Sequence, residues 1–338
     1  MKNFSPNLCH DFVLRTQSPL LAFDPSNNYL NWKEAVREKI LSLMGVEPIA
    51  TDPDFRIEWE RETDDYVGRR FVFDTEPEAS VPCHLLVPKN GKKKYPLIVC
   101  LQGHYSGMHL SMGRALNEQD ADIIASTEND FALQAINKGC AALCVEQRGF
   151  GERKSEITRD EMGNTTCYFA SMNALLIGRT ILRERAWDVS RAIDVMDNFP
   201  EIDTERIGVV GLSGGGTVAY YTACLEPRIK AVMPACAVCS FDKSISMHRH
   251  CACNYIPDMA RYMDMGEVAC MIVPRPLIVV AGEQDTGFRI EGVKKVYRVI
   301  KQIYEKEGAP ENCRLIIGPE GHKFYPALSW DVFLKSFL

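Results

Sequence analysis

Residues 206–223 read RIGVVGLSGGGTVAYYTA, and this stretch decides how the rest of the chain must be arranged. The apolar run RIGVVG has the character of a buried strand, and the residues from about Gly216 onward read as a helix. Between them stands Gly211-Leu212-Ser213-Gly214-Gly215, a G-x-S-x-G spacing. In a strand-turn-helix context that spacing lifts a serine hydroxyl onto the tip of a very tight turn. Side chains at Gly211 and Gly215 would collide with neighbouring backbone, while Ser213 is held strained and exposed at a helix N-terminus. A phosphate-binding loop would instead end in Lys-Ser/Thr or show G-x-G-x-x-G, and neither is present.

A serine hydroxyl is a weak nucleophile near neutrality, so the turn implies a base beside it and a carboxylate that orients the base. Both are expected after later strands, in the order serine, acid, histidine. The segment PLIVVAGEQD (276–285) puts Asp285 just past such a strand, with Glu283 as the substitute, and CRLIIGPEGHKF (313–324) puts His322 past the last one. Donors for a tetrahedral oxyanion should come from the amide of Gly214 and from the loop LQGHYSG (101–107), where His104 supplies the second amide. Only that amide is required; the His104 side chain could contact substrate or pack.

Outward from the turn, the runs PLIVCL, AALCVE, RIGVVG, IKAVMPA, PLIVVAG and CRLIIG alternate with helix-length segments at 129–138, 170–198, 214–226, 289–307 and 326–337. This alternation predicts an α/β fold: a mostly parallel central sheet with helices on both faces. Residues 55–88 alternate polar and apolar and predict two or three antiparallel strands at one edge. Trp32, Val36, Ile40 and Leu43 have helical spacing, so residues 1–54 are expected to form a helical extension on a catalytic domain spanning 55–338. The stretch 170–199 reads as one long amphipathic helix whose Arg183, Glu184, Arg185 and Asp188 are spaced for mutual pairing. Residues 240–272, rich in Met, Cys and His, interrupt the rhythm and are expected to form a lid.

The segments LQGHYSG, EQRGFGER, GLSGGGT, MHRHCACNYIPDMARY, PRPLIVVAGEQD and GPEGH resemble those of the dienelactone-hydrolase-like branch of the α/β-hydrolases, close to the acetyl-xylan-esterase-like families. The resemblance covers about residues 60–338. It implies the α/β-hydrolase fold, a carboxylic-ester hydrolase without a cofactor, and Ser213, Asp285 and His322 as its triad. Dienelactone hydrolase itself carries a cysteine nucleophile, and the acetyl esterases carry His-Gly-Tyr where this chain has Gln102-Gly103-His104.

The 338 residues carry 39 Lys+Arg against 45 Asp+Glu, a net charge of −6, which argues against nucleic acid or an anionic membrane as partner and favours a small-molecule ester. A homo-oligomer is compatible with this composition. The N-terminus lacks the apolar core of a signal peptide, so a cytoplasmic protein is expected. Thirteen scattered cysteines read as reduced thiols. Cys236, Cys239, His248, His250, Cys251 and Cys253 have the residue types of a zinc site, but their spacing matches no common finger; thiol packing near the pocket is the expectation, with no metal and no cofactor. His248, His250 and Met263 are expected on the lid wall facing the substrate. Arg148 stands beside the site, either binding substrate or tying down its Gly-rich turn. A prolyl-oligopeptidase-type peptidase and a non-catalytic binding protein are the rival readings.

Overall fold

The structure is a computed structural model that describes residues 4–155, 165–246 and 250–338. Its centre is a sheet of strands β1 (Arg56–Glu62), β2 (Tyr66–Glu76), β3 (Ala79–Pro88), β4 (Tyr95–Leu101), β5 (Ala141–Val145), β6 (Ile202–Leu212), β7 (Ile229–Ala235), β8 (Leu277–Gly282) and β9 (Cys313–Gly318), in the order β1-β2-β3-β5-β4-β6-β7-β8-β9. The first three strands form antiparallel hairpins, and β3 also runs antiparallel to β5. From β5 onward every neighbouring pair is parallel. The reversal of order at β4 creates the crevice beyond the C-terminal strand ends where such sheets bind ligands. This is the α/β-hydrolase arrangement read from the sequence.

The helices are α1 (Pro6–Thr16), α2 (Tyr29–Met44), α3 (Glu118–Thr127), α4 (Phe131–Asn137), α5 (Thr166–Leu176), α6 (Ile181–Asp194), α7 (Gly214–Leu225), α8 (Met259–Tyr262), α9 (Met265–Val268), α10 (Ile290–Lys306) and α11 (Pro326–Phe337). Successive side chains of a strand point to opposite faces, and the core divides accordingly. Leu97, Val99 and Leu101 of β4 join the larger cluster with α2, α6, α7 and α10, while Ile98 and Cys100 join the smaller one with α4 and α11. The α7 helix is buried from Gly214 to Cys224, as its apolar composition on every side demands. Among the described residues no helix is long and apolar enough to cross a membrane.

The stretch 170–199 departs from its reading as one helix. It breaks after α5, where Gly178 has φ +76°, and restarts at Thr180, whose side chain accepts from the Arg183 amide. The physical reason lies outside the segment: the end of α2 docks there. The Val46 amide donates to the Gly178 carbonyl at 2.9 Å and the Thr180 amide to the Met44 carbonyl at 3.1 Å, which spends backbone groups an unbroken helix would need.

The α6 charges expected to pair do not pair with one another, either. Arg183, Glu184, Arg185 and Asp188 are all buried, and the partners of Asp188 are Arg148 and Arg153. Arg148 grips both Asp188 oxygens at 2.8 Å and donates to Glu76 at 2.8 Å, while Thr75 donates its hydroxyl to the same Asp188 at 2.9 Å. Arg148 therefore pins the turn after β5 to β2 and α6 and is absent from the wall of the Ser213 cavity, so of its two expected roles it takes the tying-down of the turn and not substrate contact. Burial raises the Asp188 carboxyl, but the Arg153 and Arg148 guanidiniums outweigh it and hold the group below the usual carboxylate range.

Removing one partner of such a pair strands a buried charge. Asp188→Asn is expected to lower the unfolding free energy by about 3–5 kcal/mol in denaturant titration. Asp331→Asn, which cuts the exposed Lys138–Asp331 pair, should change it by less than about 1 kcal/mol. Equal effects would show that the Asp188 network contributes nothing special.

Candidate active site

The turn between β6 and α7 is strained and is held by its contacts with β4 and β7. Ser213 has φ 58° and ψ −124°, a conformation that costs a non-glycine residue on the order of 1–3 kcal/mol. Its amide donates to the Ala235 carbonyl at 2.9 Å, fastening the turn to the end of β7. A Cβ on Gly215 would lie 2.0 Å from the Leu101 carbonyl oxygen and 2.3 Å from that of Gln102. Only glycine lets the start of α7 pass so close to the end of β4.

Gly214 meets the His104 loop in the same way, since a Cβ there would fall 2.3 Å from the His104 ring. The two residues whose amides the sequence reading assigned to the oxyanion are thus in contact beside Ser213. The loop is anchored from below by Glu146, which accepts from the Gln102 side chain and the Met108 amide, both at 3.1 Å. Burial pushes the Glu146 carboxyl up to about 7 despite these donors.

His322 and Asp285 meet at the same sheet edge, with His322 Nδ1 2.7 Å from Asp285 Oδ2. The other Asp285 oxygen accepts from the amides of Gly287 and Phe288 at 2.8 and 3.1 Å. Burial raises the Asp285 carboxyl, but the His322 contact and the two amides win and keep it ionised below its ordinary value. Glu283, two residues away, is exposed and does not join them. The ring of Phe288 stacks on His322 at 5.9 Å between centroids. Cys236, which follows β7 with φ 46°, brings its sulfur within 4.8 Å of the Asp285 oxygen and the His322 nitrogen. Burial pushes its thiol up, so it sits there as a neutral group rather than a thiolate.

Ser213 opens into a cavity of about 440 Å³, walled by His104, Phe150, Thr166, Cys167, His250 and Cys251 among others. Of the expected lid residues, His250 lines this cavity and packs edge-on against Phe288. His248 lies outside the described residues. Met263 is not in the wall: it is fully buried in the larger core cluster with Met259 and Met265. The segment 240–272 thus splits, its Cys251–Asn254 part reaching the cavity and its α8–α9 part packing against α2 and α10. Burial of these methionines in the core took Met263 away from the cavity wall.

Sequence reasoning missed one constellation. His104, Cys167, Cys251 and Cys253 converge so that their ligating atoms all lie within 4.8 Å of one another. Cys251 and Cys253 stood out in the sequence, but their neighbours His104 and Cys167 are far away along the chain and no local spacing announces them. Of the other residues in that Cys/His group, Cys236 lies at the Asp285 site and Cys239 is buried against the Arg289 carbonyl.

Similarity to known proteins agrees with this architecture. The chain is 25% identical over 293 residues, 85% of its length and 92% of the relative's, to YtaP of Bacillus subtilis (strain 168), which carries the provisional name of a hydrolase. A solved structure from Bacteroides fragilis NCTC 9343, provisionally named an acetyl xylan esterase, superposes with a TM-score of 0.76 at 19% identity, covering 94% of this chain and 82% of that one. A glucuronoyl esterase from Solibacter usitatus superposes with a TM-score of 0.68 at 15% identity, covering 95% and 96%. Residues 5–316 match the Abhydrolase family. That match runs over most of the length and over the sheet described above, and the chain belongs to the Abhydrolase family.

Proposed function

We propose that the protein is a serine-dependent carboxylic-ester hydrolase acting on a small or carbohydrate-borne acyl ester. The observation that carries this reading is the 2.7 Å contact of His322 Nδ1 with a buried, ionised Asp285 at the sheet edge that also carries the strained Ser213. Asp285 holds the imidazole proton on Nδ1, which leaves Nε2 as the base for the serine. Ser213 Oγ attacks the acyl carbon as Nε2 takes its proton. The amides of Gly214 and His104 stabilise the oxyanion, and His322 returns the proton to the leaving alcohol. Water then repeats the sequence on the acyl-enzyme. No step requires a metal or a cofactor.

The alcohol side of the substrate is supported by the cavity wall, where Lys154, Thr165, Thr166, His250 and Asn254 offer hydrogen-bonding groups suited to a polyhydroxylated partner. The names of the similar structures, an acetyl xylan esterase and a glucuronoyl esterase, point the same way. A peptidase of the prolyl-oligopeptidase type is the second enzyme reading, and the esterase names of the similar structures favour the first. A non-catalytic binder would leave the strain at Ser213 without purpose.

Variants at five positions test the proposal. Ser213→Ala should lower turnover of p-nitrophenyl acetate by at least about 10⁴-fold and abolish labelling by a fluorophosphonate, with the melting temperature little changed. Wild-type turnover in that variant would remove Ser213 from the chemistry. Asp285→Asn should lower kcat by about 10⁴-fold through the wrong imidazole tautomer, whereas Glu283→Gln should leave it nearly intact; the reverse ranking would move the acid. His250→Ala should shift the ratio of kcat/KM between small and bulky esters by about tenfold. Met263→Ala should cost about 2–5 kcal/mol of stability and leave that ratio alone, which a panel of acyl esters and acetylated sugars can decide.

A further inference from the structure

The cluster beside the nucleophile has the composition of a metal centre. His104 Nε2 stands 2.8 Å from Cys253 Sγ, and Cys251 Sγ stands 3.2 Å from Cys167 Sγ. A disulfide would need about 2.05 Å between sulfurs, so the Cys167–Cys251 contact is not one. With Zn–S near 2.3 Å and Zn–N near 2.0–2.1 Å, a tetrahedral ion requires edges of about 3.8 Å between sulfurs and about 3.6 Å from sulfur to nitrogen. The two contacts above are shorter than those edges and no pair of the four atoms is more than 4.8 Å apart, so the donors converge on one centre and would spread slightly to seat the ion.

Cys251 and Cys253 can converge despite their i, i+2 spacing because Cys251 is extended, φ −63° and ψ 142°, and leads into a single 3-10 turn, Ala252–Asn254. That irregular backbone lets the two thiols face one point. The site's charge also balances. Arg185 is 1% exposed, donates Nη2 to Cys167 Sγ at 3.2 Å and meets no carboxylate within ion-pairing distance among the described residues. One of its nitrogens, Nη1, is buried without a hydrogen-bond partner. A divalent ion with three thiolates and a neutral imidazole carries one net negative charge, and Arg185 supplies the matching positive one in the same buried space.

We propose that His104, Cys167, Cys251 and Cys253 bind one zinc-type divalent ion in a closed tetrahedral Cys₃His site that clamps the wall of the Ser213 cavity. Thiolate and imidazole donors select zinc over magnesium or calcium. Four protein ligands leave no open position, so the ion is structural and activates no water. It ties together three segments: the loop after β4, the start of α5 and the inserted segment after β7. Because the His104 ring is a ligand and packs on Gly214, the ion also sets the position of the loop whose amide faces the oxyanion. That positioning role rests on the esterase reading above; the metal site itself does not. Such a site departs from the expectation of a metal-free protein.

The test begins with untagged full-length protein purified under reducing conditions without chelator. Elemental analysis should give about one zinc per chain, and zinc-edge X-ray absorption should fit three sulfurs and one nitrogen. The double variant Cys251→Ser/Cys253→Ser should lose zinc by about tenfold or more, while Cys9→Ser, at an exposed position, should retain it. Stripping zinc with a thiol-reactive mercurial and a chelator should lower the melting temperature, and returning zinc with thiol should restore it. If the double variant fails to fold, the stoichiometry and absorption spectrum of the wild type still decide. Reduced protein that holds no zinc and takes up none when it is added, or a Cys167–Cys251 disulfide found by mass spectrometry, overturns the site. Zinc bound with no ester turnover would instead leave the site standing and sink the esterase reading.

Discussion

Everything in this molecule is arranged around the approach of the β6–α7 turn to the end of β4. A missing side chain at Gly215 lets helix α7 begin 2.0 Å, measured from the absent Cβ, from a β4 carbonyl. That proximity places the tip of the turn, Ser213, level with the loop that carries His104. It also commits the backbone to a positive φ at Ser213. The strain is tolerated because the turn is over-determined: α7 is buried on all sides, and the Ser213 amide is spent on β7.

Two buried polar assemblies hold the loops that this crevice needs, and they solve the same electrostatic problem differently. Around Asp188 the charges are paired protein to protein, with Arg148 and Arg153 against the carboxylates of Asp188, Glu76 and Glu184. Around Cys167 a buried guanidinium faces sulfur instead. Its balance is restored once the thiols are ionised on a divalent cation. The first assembly fixes the turn after β5 to the scaffold, and the second closes the cavity wall above it. Both converge on Arg185, whose guanidinium donates to the Arg148 carbonyl and to Cys167.

The inserted segment after β7 shows how position and packing divide one stretch of chain. Its exit from the C-terminal edge of the sheet obliges it to pass the crevice, and Cys251 to Asn254 do so. Past that point the chain is drawn back into the core, because Met259, Met263 and Met265 bury against the face already formed by α2 and α10. Flexible thioethers suit such a seam as well as they suit a binding wall.

The fold was legible because it rests on short-range signals: apolar runs of strand length, helical spacing, and a glycine pattern whose steric logic is local to five residues. The serine turn and the loops carrying Asp285 and His322 were legible for the same reason, each lying just past a strand that the sequence announces. Only the tertiary structure brought Asp285 rather than Glu283 onto His322, since both follow β8 and the choice depends on which carboxylate the Gly287 and Phe288 amides capture. It also broke the 170–199 helix, buried the α6 charges and turned Arg148 inward, because each outcome depends on partners from α2, β2 or the β5 turn. The meeting of His104, Cys167, Cys251 and Cys253 lay furthest from view: three segments separated by long stretches of chain supply four ligands, and only β4, α5 and the inserted segment folding onto one edge make them neighbours.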